Sequence, residues 1–237
     1  MSKVKRVADA EFIKLKNTSF WGYMVVSTIG IIAMFILYNC LYASKAINER
    51  ITLLFEIYAM MMPLLHSITI SYFVRQEEKI LNMYRILAVK SRTEVFAGKI
   101  LMIWGMETIR LLLIFLIVIV QLNTSMSSKL IVMYVLGEVI CSVFSIVFHL
   151  FVNLKIGVSL SLFFGVAEVM QSIMYSNIDI KGGWKYLPMA WSMEWKFAVM
   201  NHTYLQEGMF WGSCVLIICM VMALAVFWFR NWEGRRK

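Results

Sequence analysis

The chain has 237 residues, of which 61% are apolar and 16% charged, against roughly 25% charged in ordinary soluble domains. That much apolar surface exceeds what one soluble core hides, which excludes a simple water-soluble domain and points to a bilayer as solvent. The net charge of +9 does not argue for nucleic acid as a partner: the basic residues flank long apolar runs instead of gathering on one exposed face, a pattern that fits anchoring at an anionic leaflet.

In residues 1–19, Val4, Val7, Ala8, Phe12 and Leu15 fall near one helical face, with Lys3, Lys5, Arg6, Lys14 and Lys16 around it. The pattern predicts a helix lying in the cytoplasmic interface, the alternative being a solvated basic tail. The apolar run that follows is longer than the roughly 7–15 residues of a signal-peptide core, so no cleavable leader is expected.

A helix needs about 20 apolar residues to cross the hydrocarbon. Six segments reach that length: Phe20–Ala43, Ile51–Val74, Val95–Gln121, Leu130–Val152, Ile156–Tyr175 and Met209–Arg230. The third is long enough to tilt or to project beyond the bilayer. Only Asn153-Leu154-Lys155 separates the fourth from the fifth. Sixteen Lys and Arg residues fall on the side that holds both termini and the loop after the second span, and six on the other. The richer side is read as cytoplasmic, with both termini inside. No repeat or linker divides residues 1–237, so the expected fold is a single all-α integral membrane domain.

Residues 75–94 form the one sizeable loop on the basic side. Ile80, Met83, Tyr84 and Leu87 recur there at i, i+3, i+4 and i+7, an amphipathic helical pattern. Such a stripe suits either a groove on a soluble partner or the membrane surface. Residues 176–208, on the opposite side, hold Trp184, Tyr186, Trp191, Trp195 and Tyr204. These aromatics read as an anchor at headgroup level or as a re-entrant cap over a substrate path.

Ionisable groups within the apolar runs are Glu56, His66, Glu107, Arg110, Glu138, His149 and Glu168. Such groups are costly in hydrocarbon and face the bundle interior or a watery cavity. Glu107 and Arg110 stand three apart and can neutralise each other within one helix. Glu56, Glu138 and Glu168 have no local partner. They either line a path for a cationic substrate, with Trp184 and Trp191 beside it, or reach partners on other helices. Pro63 is expected to kink the second span, with His66 donating to freed backbone. Cys40, Cys141, Cys214 and Cys219 all lie in apolar runs and read as small buried side chains, not as a disulfide framework or a metal site.

No phosphate loop, zinc-peptidase helix or serine-nucleophile turn is present. Glu77-Glu78 and His149…Asn153 echo two motifs of the CAAX-protease-like membrane peptidases. Asn82, however, fills the place of that family's required Arg, and Ser145 stands where its FxxxH motif needs Phe. No catalytic residue, metal or bound cofactor is therefore expected in this chain.

The stretch Glu77–Lys99, EEKILNMYRILAVKSRTEVFAGK, resembles the segment between the second and third spans of ABC-2-type transporter permeases. Glu77, Glu78, Leu87, Arg92, Phe96 and Lys99 occupy the places of that pattern, and Ala88-Val89-Lys90-Ser91 stands where its turn commonly holds Pro. The length, the six spans and the segment Trp184–Ser192 are similar to the small permease subunits of lantibiotic-immunity transporters. The resemblance implies a pair of such permeases, identical or related, seated on two separate ATPase subunits that use ATP and Mg²⁺. It makes residues 75–94 a coupling helix, with Glu77, Glu78, Ile80, Met83, Tyr84, Leu87 and Arg92 as its coupling residues. It also implies a cationic antimicrobial peptide as substrate and a bacterial plasma membrane as location.

Overall fold

A computed structural model describes residues 3–16, 18–42, 46–81, 92–122, 128–177, 187–203 and 208–233. All regular structure among them is helical: α1 (Lys3–Leu15), α2 (Phe20–Leu41), α3 (Ile47–Leu81), α4 (Arg92–Leu122), α5 (Ser128–Lys155), α6 (Val158–Asn177), a 3₁₀ turn (Pro188–Ala190), α7 (Trp191–Met200) and α8 (Gly208–Arg230). Six of these helices, α2 to α6 and α8, are long and apolar enough to cross a membrane.

Backbone polar groups find no water in hydrocarbon, so each span closes its own hydrogen-bond ladder. Helix α3 carries Pro63 in its interior and still runs unbroken for 35 residues. It forms the axis of the bundle, packing along α6, α5 and α7. The windows of membrane-crossing length in α3 and α5 are 56% buried, whereas those in α2 and α8 are 22% and 17% buried. Helices α2 and α8 are thus the periphery. Their apolar side chains, among them Val26, Leu37, Leu216 and Phe227, point outward as a lipid-facing surface would.

Two apolar clusters fill the interior. The larger joins Phe55, Tyr58 and Leu65 of α3 to Phe115 of α4, Tyr134 of α5, Trp191 and Trp195 of α7 and Phe210 of α8. Tyr134 stacks on Phe55 at 3.9 Å and donates a hydrogen bond to the Phe55 carbonyl. The second cluster gathers Leu15, Phe20, Phe73, Val74, Phe96, Leu154, Phe229 and Trp232 at the end where the basic residues concentrate.

The helix boundaries depart from the sequence expectation in two places. Helix α3 continues through Arg75–Leu81 and α4 begins at Arg92, so both ends of the expected 75–94 segment belong to these helices, and its middle, 82–91, lies outside the described residues. Helix α5 continues through Asn153–Lys155, expected as the turn. The Asn153 amide donates to the His149 carbonyl one turn back, and Leu154 is fully buried. The reversal falls instead at Ile156-Gly157. Gly157 has φ 147, a conformation open only to glycine, and its N–H donates to the Val152 carbonyl.

Two further glycines permit close packing, as small residues do between membrane helices. A Cβ on Gly137 would lie 1.9 Å from the Trp195 indole nitrogen, and one on Gly165 would lie 2.4 Å from the Ser67 hydroxyl. Gly137→Ala must push Trp195 off α5, where the indole N–H donates to the Met133 carbonyl. Overpacking of this kind costs about 1–3 kcal/mol. A thermal melt of the detergent-solubilised Gly137→Ala protein is expected to show that loss, while Gly212→Ala, which meets nothing within 4 Å, stays close to wild type.

Candidate functional site

Charged and polar side chains occupy three levels of the bundle. At the Lys/Arg-rich end, Glu11 of α1, Glu77 of α3 and Lys99 of α4 are all buried. Lys99 donates to Glu11 at 2.8 Å and to Glu77 at 2.9 Å. Lys14 of α1 donates to the same two carboxylates at 2.7 and 2.8 Å. Two ammonium groups and two carboxylates thus form a closed, charge-balanced ring that joins three helices. Burial pulls the Lys14 pKa down, but the hydrogen bonds and charges of Glu11 and Glu77 outweigh it, and the net displacement is upward.

This ring explains how α1 sits. The predicted apolar face contains Glu11 between Val7, Ala8, Phe12 and Leu15. Helix α1 turns Glu11 and Leu15 inward against α4 and leaves Phe12 and Ile13 exposed. Phe12 meets Trp21 of α2 edge-on at 5.5 Å. Arg92, at the start of α4, donates to the Trp232 carbonyl beyond α8, so the same end of the last span is also tied in. Of the other residues expected to couple, Glu77 belongs to the ring and Glu78 lies in α3. Ile80 lies in α3 without a described side chain, and Met83, Tyr84 and Leu87 fall outside the described residues.

The middle level is a polar belt inside the bilayer span. Glu107 and Arg110 of α4 form an ion pair. Thr69 of α3 donates to Glu107 at 2.6 Å, and Arg110 reaches Ser27 of α2 at 3.5 Å. Tyr23 of α2 bonds the Leu65 carbonyl and Thr69 of α3. Nearby, His149 of α5 contacts Ser161 at 3.0 Å and Glu168 at 3.3 Å, both on α6. Ser71 of α3 donates to Asn153 of α5 at 3.4 Å. His66, expected to donate to backbone, is buried with neither ring nitrogen hydrogen-bonded among the described residues.

At the far end, Lys196 of α7 donates to Glu56 of α3 at 3.2 Å and lies 3.8 Å from the centre of the Phe197 ring. Ser192 of α7 donates to Glu138 of α5 at 2.8 Å. Tyr175 of α6 bonds Glu194 of α7. Helix α7 is therefore fastened by polar contacts to three spans. Trp191 and Trp195 are buried in the larger apolar cluster and do not present their rings outward. This corrects the expectation of a surface anchor at those two positions; Trp184, Tyr186 and Tyr204 lie outside the described residues.

Glu56, Glu138 and Glu168 thus each reach a partner on another helix. Only Glu56 keeps substantial exposure, with 28% of its side chain accessible; Glu138 and Glu168 are buried. The cysteines also divide: Cys141 and Cys214 are buried, while Cys40 and Cys219 are exposed on the periphery, against the expectation that all four are interior.

Six apolar helices around a core of paired charges define a multi-pass membrane protein. Comparison with known proteins adds nothing narrower, since no protein-family model and no curated protein matches the chain.

The ring sets a clear energetic expectation. Lys99→Met leaves two buried carboxylates sharing Lys14 alone. Breaking a buried pair in this way costs about 3–5 kcal/mol. Adding Glu77→Gln removes the excess negative charge and is expected to recover part of that loss in thermal melts of the purified variants. Recovery below the experimental error would mean that the ring is not a coupled unit. Because the Lys14 pKa is raised on folding, its contribution is complete below the ordinary ammonium pKa. It disappears only as pH rises through the folded value. Lys14→Gln is therefore expected to lower the melting temperature at neutral pH, with the gap to wild type closing in strong alkali.

Proposed function

We propose that this chain is the permease subunit of an ATP-driven exporter, with its termini and residues 82–91 in the cytoplasm of a bacterial cell. The observation that carries the reading is the ring of Glu11, Lys14, Glu77 and Lys99. It lies at the α3 and α4 ends that flank residues 82–91. A force applied to that connection by a soluble partner would move α1, α3 and α4 together, because displacing one of them alone would strand a buried charge. A connection serving only as a tether needs no such fastening.

The similarity of Glu77–Lys99 to ABC-2-type permeases supplies the nature of the partner: two ATPase subunits that bind and hydrolyse ATP with Mg²⁺. A second permease copy, or a related subunit, completes the path. Closure of the ATPases on ATP pushes the 82–91 connection, and the ring converts that push into tilting of α3 and α4. Helix α3 reaches the opposite face, where Glu56 holds Lys196 of α7, so the same movement loads the contact that keeps α7 in place. The proposed cargo is a lantibiotic or similar cationic peptide taken from the bilayer and expelled outward, which protects the producing cell. Among the three unpaired-in-sequence glutamates, Glu56 is the one exposed enough to exchange its lysine for a cationic group of the cargo.

A peptidase built on Glu77 and His149 fits less well. Glu77 accepts from two lysines, which weakens it as a base, and His149 is engaged by Ser161 and Glu168. A protein that binds peptide without turnover remains separable by energy dependence alone.

Replacing Ile80, Met83 and Leu87 together by Ser is expected to lower ATP-dependent peptide efflux at least tenfold while the protein still reaches the membrane. Full efflux with an ATPase still bound would overturn the coupling role. A cysteine placed at Arg85 is expected to react with a membrane-impermeant maleimide in inverted vesicles and not in intact cells; the reverse labelling would put the connection on the wrong side for any intracellular motor.

A further inference from the structure

Between the α1–α2 junction, α3 and α6 lies an open groove of about 720 Å³, within the roughly 300–1,000 Å³ usual for small-molecule sites. One wall is a single face of α3: Ile68, Ser71, Tyr72, Arg75 and Gln76 follow the spacing i, i+3, i+4, i+7 and i+8. The facing walls are Lys14, Thr18 and Ser19 on one side and Leu162 of α6 on the other. The groove is graded along its length. Its mouth, at the level where α2 enters the apolar region, carries Lys14, Arg75, Thr18 and Ser19. About 10 Å deeper along α3, at 1.5 Å per residue, Ile68 and Leu162 make it apolar. Tyr72 is held against the groove by stacking on Tyr23 at 5.1 Å.

The charge at the mouth is not cancelled. The ring of Glu11, Glu77, Lys14 and Lys99 is neutral in itself, and Lys14 uses two of its three hydrogens on it. Arg75 is exposed and makes no hydrogen bond or ion pair with another described residue. The mouth therefore offers one guanidinium without an ion pair among the described residues, one spare ammonium hydrogen and the Ser19 hydroxyl directly above an apolar lane; the Thr18 hydroxyl beside them donates to the Leu15 carbonyl and accepts from the Phe20 N–H. A guanidinium matches phosphate oxygens in a bidentate fork, and basic pockets between membrane helices bind acidic headgroups.

We propose that this groove is a binding site for one anionic glycerophospholipid. Its phosphate sits between Arg75 and Lys14, its glycerol oxygens lie near Thr18 and Ser19, and one acyl chain lies along Tyr72, Ile68 and Leu162. A lipid held there bridges α1, α3 and α6 from the bilayer side, opposite the Lys99 side of the ring. The proposal stands on the groove alone and does not depend on the transport reading.

The test is native mass spectrometry of the full chain released from detergent after titration with phosphatidylglycerol or phosphatidylcholine of equal chain length. Wild type is expected to retain one phosphatidylglycerol with at least fivefold preference over phosphatidylcholine. Arg75→Gln is expected to bring the two lipids to parity. Leu162→Trp, which fills the chain lane and leaves the charge, is expected to lower retention of both. Millimolar inorganic phosphate is expected not to displace the lipid. Equal retention of the two lipids by wild type would overturn the proposal. So would unchanged phosphatidylglycerol binding in both variants, or displacement by inorganic phosphate, which would assign the mouth to a free anion.

Discussion

A carboxyl or ammonium group removed from water into a bilayer span must find its counter-charge or its hydrogen-bond donors within the protein, because the surrounding hydrocarbon offers none. In this chain that requirement organises the bundle at every level. Glu107 meets Arg110 within α4, Glu77 and Glu11 meet Lys99 and Lys14, and Glu56 meets Lys196. Apolar contact holds helices together but is permissive about rotation and register, since one aliphatic surface fits another. A buried ion pair between two helices is not permissive: a slide of one turn separates the partners and exposes both to hydrocarbon. The pairs thus specify how α1, α3, α4 and α7 stand, while the aromatic clusters fill the space between them.

The pairs also differ in what they fasten. Glu107 and Arg110 lie on one helix and constrain nothing by themselves; Thr69 and Ser27 make that pair an interhelical joint by bonding it from α3 and α2. The ring at the basic end spans three helices and is closed, so each member has two partners. At the far end Glu56 and Lys196 form a single contact with partial exposure. The two ends are thus fastened by different chemistry: the basic end by a closed ring of charges, the far end by one ion pair beside the hydrogen bonds of Ser192 and Tyr175.

The legible features were those that a short stretch of chain carries alone. An apolar run of sufficient length is a span whatever surrounds it, and Glu107 with Arg110 meets at the i, i+3 distance of one helix. The partners of Glu56, Glu138 and Glu168 were not legible. Glu56 and Lys196 stand 140 residues apart, and Glu138 and Ser192 stand 54 apart, with no local spacing to join them. The end of α5 was misplaced because Asn153 looks like a turn residue, whereas its amide is consumed by the His149 carbonyl and its oxygen accepts from Ser71. Gly157 was the available sign of the true turn. Glu11 was visible too, as an acid set within an apolar face with Lys14 three residues on, but only the structure brings up Lys99 and Glu77 to close the ring.

Trp191 and Trp195 show why aromatic content is an ambiguous signal at a membrane boundary. A tryptophan with one polar edge is at ease at the headgroup level, but its large apolar body is equally suited to a core wherever its N–H finds a carbonyl. For Trp195 that carbonyl belongs to Met133, and Gly137, lacking a Cβ, makes room for the ring. The choice between anchoring in lipid and packing against protein is thus decided by one absent methyl group on a different helix. That absence also explains how a helix of 10 residues, too short to cross the bilayer, keeps a fixed position: it is wedged by its two buried indoles and pinned by Ser192 and Lys196. Helix α7 is therefore held by α3 and α5 together, and of these α3 is the helix whose other end the ring of Glu11, Lys14, Glu77 and Lys99 fastens.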